Sequence, residues 1–388
     1  MATARTYLDW NATAPLSEAA RSAMLDAYAL PGNASSVHAE GRAARAGLDR
    51  ARRQVAALVR GDPQHVIFTS GATEAANLVL TPDYRMGRAP LAVGHLYVSA
   101  IEHPAVREGG RFLPGKISEI AVTPQGVIDL AVLETALARH DMAGGLPMVA
   151  VMLVNNETGV FQPVEEVARL VHQKGGLLVV DAVQAAGRIP LDIQALDADF
   201  LILSSHKICG PKGVGALVSR GEVMMPRPLI HGGGQEKGHR SGTENFPGII
   251  GFGAAAEQAS TDLAARNAGI GELRAVLEAG MAAAAPDVII HGAGVARVAN
   301  TTFFTLPGLK SETGQIAFDL EGVALSAGSA CASGKTGQSH VLAAMGCDPG
   351  LGALRISLGP DTTGQDIEKA LAAFTRIAGR RRLPGQAA

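Results

Sequence analysis

Short apolar runs recur along the chain, each closed by glycine, proline or small polar residues. Residues 66–69 (Val-Ile-Phe-Thr), 97–99, 147–154, 176–180, 200–203 and 215–218 have this form and read as buried strands. Between them the period changes. Residues 37–59 alternate alanine and arginine at helical spacing, which predicts a long, partly exposed helix, and 164–174 predicts another. Ser17 is a good N-cap for a helix that begins after the turn residues of 7–15. Strands alternating with helices predict a mainly parallel, doubly wound α/β sheet. Ligands of such sheets gather at the carboxyl ends of the strands. The polar residues Thr73, His103, Asn156, Asp181, Ser204 and Lys207 all fall just at or past predicted strand ends.

Beyond residue 220 the pattern changes. Residues 231–245 form a long polar stretch rich in glycine, and a loop of that kind in a compact protein is usually functional. An alanine-rich helix is predicted over about 250–284, with a break at 267–271. A smaller second domain follows, with strands at 300–306 and 354–359 and a helix at 312–321. Residues 327–337 are small and flexible and carry one cysteine, Cys331, and no internal repeat is visible. The domain division expected is 16–255 for the large unit and 1–15 with 256–388 for the small one.

Composition narrows the function. The 388 residues carry a formal net charge of only −2, which gives no reason to expect a nucleic-acid or membrane-surface partner. No apolar run reaches membrane-spanning length, and the first residues lack the apolar core of a signal peptide, so a cytoplasmic protein is expected. Cys209, Cys331 and Cys347 match no zinc or iron–sulfur spacing. No metal is expected, and a free reactive thiol is. Cys209 and Cys347 read as packing residues, since small buried thiols are common.

The chemistry centres on 199–213, an apolar strand running into Ser-Ser-His-Lys and then Gly-Pro. A lysine at the end of a buried strand is costly unless it has a partner or a task. One task is to bind an aldehyde cofactor covalently. Such a cofactor also needs an acid for its ring nitrogen, donors for its phosphate and a partner for its ring face. Asp181, then Ser204, His206 and Thr73, then His103 are the residue types that serve. Ser70-Gly71-Ala72-Thr73 joins a strand to a helix, and free N–H groups at a helix start favour phosphate.

These stretches resemble a family. Tyr-Leu-Asp-x-Asn-Ala-Thr (7–13), Gly-Asn-x-Ser-Ser-x-His (32–38), Phe-Thr-Ser-Gly-Ala-Thr-Glu (68–74) and Glu-His-Pro-Ala-Val (102–106) open the match. Val-Asn-Asn-Glu-x-Gly (154–159), Asp-Ala-Val-Gln-Ala (181–185), Ser-His-Lys-x-x-Gly-Pro-Lys-Gly (205–213), Gly-Gly-Gly-Gln-Glu (232–236) and Arg-Ser-Gly-Thr-Glu-Asn (240–245) continue it. Ser-x-Gly-Ser-Ala-Cys (326–331) and Leu-Arg-x-Ser-Leu-Gly (354–359) complete it. The chain resembles the pyridoxal-phosphate-dependent cysteine desulfurases of the NifS and IscS type, in the class V aminotransferase family.

The resemblance implies a fold type I, aspartate aminotransferase-like transferase: a large doubly wound domain plus a smaller α+β C-terminal domain. It implies pyridoxal 5′-phosphate as cofactor, L-cysteine as substrate, a homodimer, and a sulfur-acceptor protein such as an iron–sulfur scaffold as partner. Lys207 would hold the cofactor and move the substrate α-proton. His103 would stack on the ring and act as an acid–base group, and Asp181 would pair with the ring nitrogen. Gln184 and Asn156 would contact the ring hydroxyl side and the substrate. Ala72 would contact the cofactor, and Thr73, Ser204 and His206 would hold the phosphate, with Thr243 reaching in from a second subunit. Arg355 would clamp the substrate carboxylate, and Cys331 would be the nucleophile that takes the sulfur. After Cys331, Lys-Thr-Gly-Gln-Ser-His departs from the family's usual Glu-Pro-Ser-His. The rival readings are a selenocysteine lyase or other β-eliminating enzyme and, in another class, a non-catalytic sulfur carrier or scaffold.

Overall fold

The computed structural model describes residues 5–328 and 338–381. The six apolar runs become neighbours in one nine-stranded sheet. Its order is Met224–Pro226, Asp83–Met86, Ala89–Ser99, Leu146–Met152, Leu177–Asp181, Phe200–Ser204, Gly215–Ser219 and Val66–Thr69, with Ile117–Ile120 paired to Ala89–Ser99. The central pairs from Ala89–Ser99 to Phe200–Ser204 are parallel. Gly215–Ser219 runs antiparallel to both its neighbours, because the segment 205–214 that joins it to Phe200–Ser204 is too short for a parallel crossover. The strand that it carries, Val66–Thr69, therefore points the same way as the parallel set, and its helix junction opens on the same sheet edge.

Apolar cores cover both faces of this sheet. One packs Val149, Leu178, Leu201 and Val218 against Leu48, Val55 and Phe252 of the helices Ala39–Leu58 and Phe246–Ser260. The other packs Val98, Met148, Val179 and Ile202 against Leu78 and Val79 of the helix Ala72–Val79. A strand buried on both faces reads as a continuous apolar run rather than an alternation.

The alanine-rich stretch is two helices, Phe246–Ser260 and Leu263–Ala284. The break expected at 267–271 lies instead at Thr261 and Asp262, where Asp262 takes a left-handed backbone (φ 49°). Arg266 explains the shift: its guanidinium donates to the carbonyl oxygens of Ala259 and Thr261, so the end of the first helix is capped from within the second. Glycines 269 and 271 stay helical.

A third core gathers Leu8, Leu277, Phe304, Phe318, Ile356 and Phe374. It backs a four-stranded antiparallel sheet in the order Ile289–Ile290, Thr301–Thr305, Leu354–Ser357 and Ser326–Ala327. The N-terminal strand Thr6–Tyr7 pairs with Val323–Ala324, so the first residues join this C-terminal unit. No helix among the described residues is long and apolar enough to cross a membrane.

Candidate active site

The carboxyl edge of the large sheet opens into a cleft of about 490 Å³. Ala72, Thr73, His103, Asn156, Asp181, Gln184, Ser204, His206 and Lys207 all line it. Each is delivered by a local device. The helix Ala72–Val79 starts beside the cleft, with its first-turn N–H groups unpaired within the helix. A Cβ on Gly215 would lie 2.6 Å from the carbonyl carbon of Gly71, so only glycine lets that helix start approach the neighbouring strand. His103 is the N-cap of Pro104–Arg107 and accepts the Ala105 N–H at Nδ1 (3.2 Å). Its proton is thereby placed on Nε2. Asn155 Oδ1 accepts the N–H groups of Glu157 and Thr158, both at 2.9 Å, and so folds the turn that presents Asn156.

Lys207 ends the single 3₁₀ turn Ser205–Lys207. Its ammonium donates to the carbonyl oxygens of Asn11 (2.6 Å) and Ala12 (2.8 Å). Burial pushes the Asp181 carboxyl up to about 6, while the Val183 N–H and Lys207 pull it down. Asp181 accepts that N–H at 2.9 Å and has no ion-pair partner among the described residues. Behind it Glu102 is fully buried, and burial together with Asp181 holds its carboxyl well above the usual range. Burial lowers His103 to about 4, with Lys207 and His340 adding to the effect. His206 is also lowered to about 4, by burial and then by Lys207 and Lys212. Both imidazoles are neutral at pH 7. Gln184 donates to the Asn11 carbonyl (3.1 Å), and its buried Oε1 has no hydrogen-bond partner among the described residues.

Two expected site residues lie elsewhere. Arg355 does not line the cleft; it sits behind Asn156, whose carbonyl accepts its Nη1–H at 2.9 Å. Thr243 is exposed on the 231–245 loop, beside Ser70 and Gly213 in an adjoining depression. Cys331 lies outside the described residues. Cys209 and Cys347 are half-buried, and burial raises both thiols, the direction that keeps them protonated.

Sequence reading gave no part to Glu102, Glu157 or Asp9, although it quoted the motifs that contain them. Glu157 is buried, with its carboxyl raised to about 7, and it accepts the Ser339 hydroxyl at 2.6 Å. Asp9 pairs with Arg355 (2.9 Å). Their signal was motif membership alone; burial and the pairing appear only once the chain is folded.

A helix start with free N–H groups, a lysine and a half-buried carboxylate thus share one sheet edge. The class V aminotransferase model matches residues 6–370, and the chain belongs to that family. It is 40% identical over 374 residues to a cysteine desulfurase of Sinorhizobium fredii, with 94% of each chain covered. It superposes on the NifS-like protein of Rickettsia africae with a TM-score of 0.86 at 33% identity, over 97% of this chain and 99% of the other. It also superposes on SspA in complex with cysteine, with a TM-score of 0.75 at 27% identity, over 92% and 100% of the two chains.

Proposed function

We propose that this chain is a pyridoxal-phosphate-dependent cysteine desulfurase, a homodimeric cytoplasmic enzyme that turns L-cysteine into L-alanine and holds the sulfur as a persulfide on Cys331. The observation that carries the reading is Asp181, a half-buried carboxylate without an ion-pair partner among the described residues, facing the same cleft as Lys207. A carboxylate largely withdrawn from water at that position calls for a cation. A protonated pyridine nitrogen is one, and the unpartnered Gln184 Oε1 and the helix start at Ala72 suit a ring hydroxyl and a phosphate on the same molecule. The cleft residues therefore fit pyridoxal phosphate.

When bound, that cofactor supplies an aldehyde for the substrate amine and an electron sink for the bonds broken at the substrate. Lys207 holds it at the aldehyde and moves the proton at the substrate Cα. Asp181 keeps the ring nitrogen protonated. Neutral His103 covers the ring and exchanges protons through Nε2. Gln184 and Asn156 position the ring hydroxyl side and the substrate, Ala72, Thr73, Ser204 and His206 the phosphate, and Arg355 the substrate carboxylate. Cys331 attacks the substrate sulfur as thiolate; the S–S bond forms as the Cβ–S bond breaks, and Cβ takes a proton to leave as alanine. A sulfur-acceptor protein such as an iron–sulfur scaffold then removes the sulfur.

One further feature supports the dimer. Leu25, Tyr28 and Val37 are 59%, 70% and 88% exposed, an apolar face suited to a second copy. A second copy would also bring its Thr243 to the phosphate end. The large unit would span 16–255, with 1–15 and 256–388 forming the small one.

The test is to give the purified holoenzyme L-cysteine without reductant. The peptide containing Cys331 should gain one sulfur atom, removable by dithiothreitol, and alanine should appear. Cys331→Ser should abolish both while retaining the cofactor absorbance. Full alanine production by Cys331→Ser, or the extra sulfur on Cys209 or Cys347, would overturn the reading.

A further inference from the structure

Three separate segments converge on the Arg355 guanidinium. Asn156 is the first, accepting Nη1–H through its main-chain oxygen. The second is Asp9, whose Oδ1 accepts Nη2–H at 2.9 Å. The third is Ser326, which lies opposite Arg355 in the antiparallel pair and donates its hydroxyl to that same Oδ1 at 2.7 Å. The Arg355 side chain is 3% exposed and the Asp9 side chain 18% exposed. Arg355 Nε has no hydrogen-bond partner among the described residues.

We propose that Asp9 is a positioning residue for substrate recognition: it braces one edge of the Arg355 guanidinium and leaves the edge carrying Nε for the carboxylate of the amino-acid substrate. The inference rests on the reading above, in which Arg355 receives that carboxylate.

A planar guanidinium offers two-point edges, and a bidentate carboxylate is recognised only when the plane is fixed. Two braces on Nη1 and Nη2 fix it, and Ser326 in turn fixes the Asp9 carboxylate. A buried guanidinium without a counter-charge is strongly unfavourable, so before substrate arrives some carboxylate must balance it. Asp9 does so through Nη2 alone, and the buried Nε–H is left without a hydrogen-bond partner among the described residues. That buried N–H without a partner is itself costly, and a ligand carboxylate relieves the cost. Glu157, the other carboxyl close enough to influence Arg355, is tied to Ser339 and does not replace Asp9.

Holoenzyme variants Asp9→Ala, Asp9→Asn, Arg355→Ala and the Asp9→Ala/Arg355→Ala pair test this with two probes. L-alanine carries the carboxylate and ethylamine lacks it; binding of each is read from the change in cofactor absorbance. Asp9→Ala should weaken L-alanine about tenfold and leave ethylamine unchanged. The KM for L-cysteine should rise about as much, with kcat within about twofold. Asp9→Asn is isosteric and still accepts hydrogen bonds, so it should recover part of the loss. The double variant should bind L-alanine no more weakly than Arg355→Ala alone, because Asp9 acts through Arg355. Equal weakening of both probes, unchanged L-alanine binding, or additive losses would overturn the inference. If Arg355→Ala weakens L-alanine and Asp9→Asn and Asp9→Ala do not, the inference alone fails. If Arg355→Ala leaves L-alanine binding intact, the assignment of Arg355 as carboxylate clamp fails, and the inference with it.

Discussion

The floor of the cleft and its arginine end are built in opposite ways. Most of the floor comes from one interval of the chain, 66–215, as strand ends on a sheet buried on both faces, with Ala12 and Thr13 of the N-terminal segment added. The arginine end is assembled from residues 9, 156, 326 and 355, which meet only through tertiary contacts. Their electrostatics differ too. On the floor burial dominates: Asp181 and Glu102 are raised, and His103 and His206 are lowered. Each of these four groups is pushed toward its neutral form, as expected of a site shaped for a charge brought in from outside. At the other end Arg355 already has its carboxylate in Asp9. Asp181 on the floor has no ion-pair partner among the described residues, while the arginine end is balanced internally by Asp9.

Substitutions should separate the two ends, and the floor should give the largest effects. Lys207→Ala should lose the cofactor link that borohydride can reduce, and turnover should fall by about 10²–10⁴-fold, the usual size of a lost proton-transfer group. Asp181→Asn should keep the cofactor and still lose about 10²–10³-fold in turnover, as when one fixed electrostatic partner is removed. Near-normal alanine production by Asp181→Asn would show that the floor is not tuned for a cation. At the other end, Arg355→Ala should raise the KM for L-cysteine by about 10–100-fold, the worth of a charge-assisted pair. Cofactor affinity, measured by dialysis and absorbance, should not change.

The same contrast explains what could be read before folding. The floor was legible because parallel strands buried on both faces leave apolar runs, and each run ends at its polar residue. Asp181 and Lys207 stand out by position alone. The strands Asp83–Met86, Ile117–Ile120 and Met224–Pro226 went unread because they are short and lie toward the sheet's edge, where burial leaves little pattern. The break between the two alanine-rich helices was misplaced because glycines 269 and 271 look like breakers, whereas the turn at Asp262 is stabilised by the side chain of Arg266. Asp9 was invisible as a partner of Arg355 because 346 residues separate the two. No periodicity reports a contact of that range.

Glu157 offers a measure of charge at the seam between the ends. Its carboxyl is raised to about 7 by burial, against the pull of Ser339 and Arg355. The unfolded side chain titrates near 4.3, so the fold favours the neutral form. Its contribution to stability is full below about pH 4 and is lost as pH rises through about 7. The stability of wild type relative to Glu157→Gln should therefore fall across that window, by on the order of 3 kcal/mol in all. Denaturant midpoints for both proteins at a series of pH values would show it. A constant difference would mean that Glu157 titrates in the folded protein as it does in the unfolded chain.

The smallest effect expected is also the sharpest divider of the two ends. Trp10 stands between Asp9 and Asn11 and is 5% exposed, with its indole laid on the backbone of Gly359. A Cβ added to Gly359 would lie 1.9 Å from the Trp10 Cδ2, so Gly359→Ala must push the indole aside. Overpacking of this kind costs about 1–3 kcal/mol. The strain falls on the segment that carries Asp9 and on the end of the strand that carries Arg355, and it leaves the sheet edge at Asp181 alone. Gly359→Ala should therefore lower the denaturant midpoint modestly and raise the KM for L-cysteine a few-fold, with cofactor affinity held. If cofactor affinity falls as much as substrate affinity, the two ends are one mechanical unit, because displacing Trp10 then also moves Asn11, whose carbonyl receives Lys207.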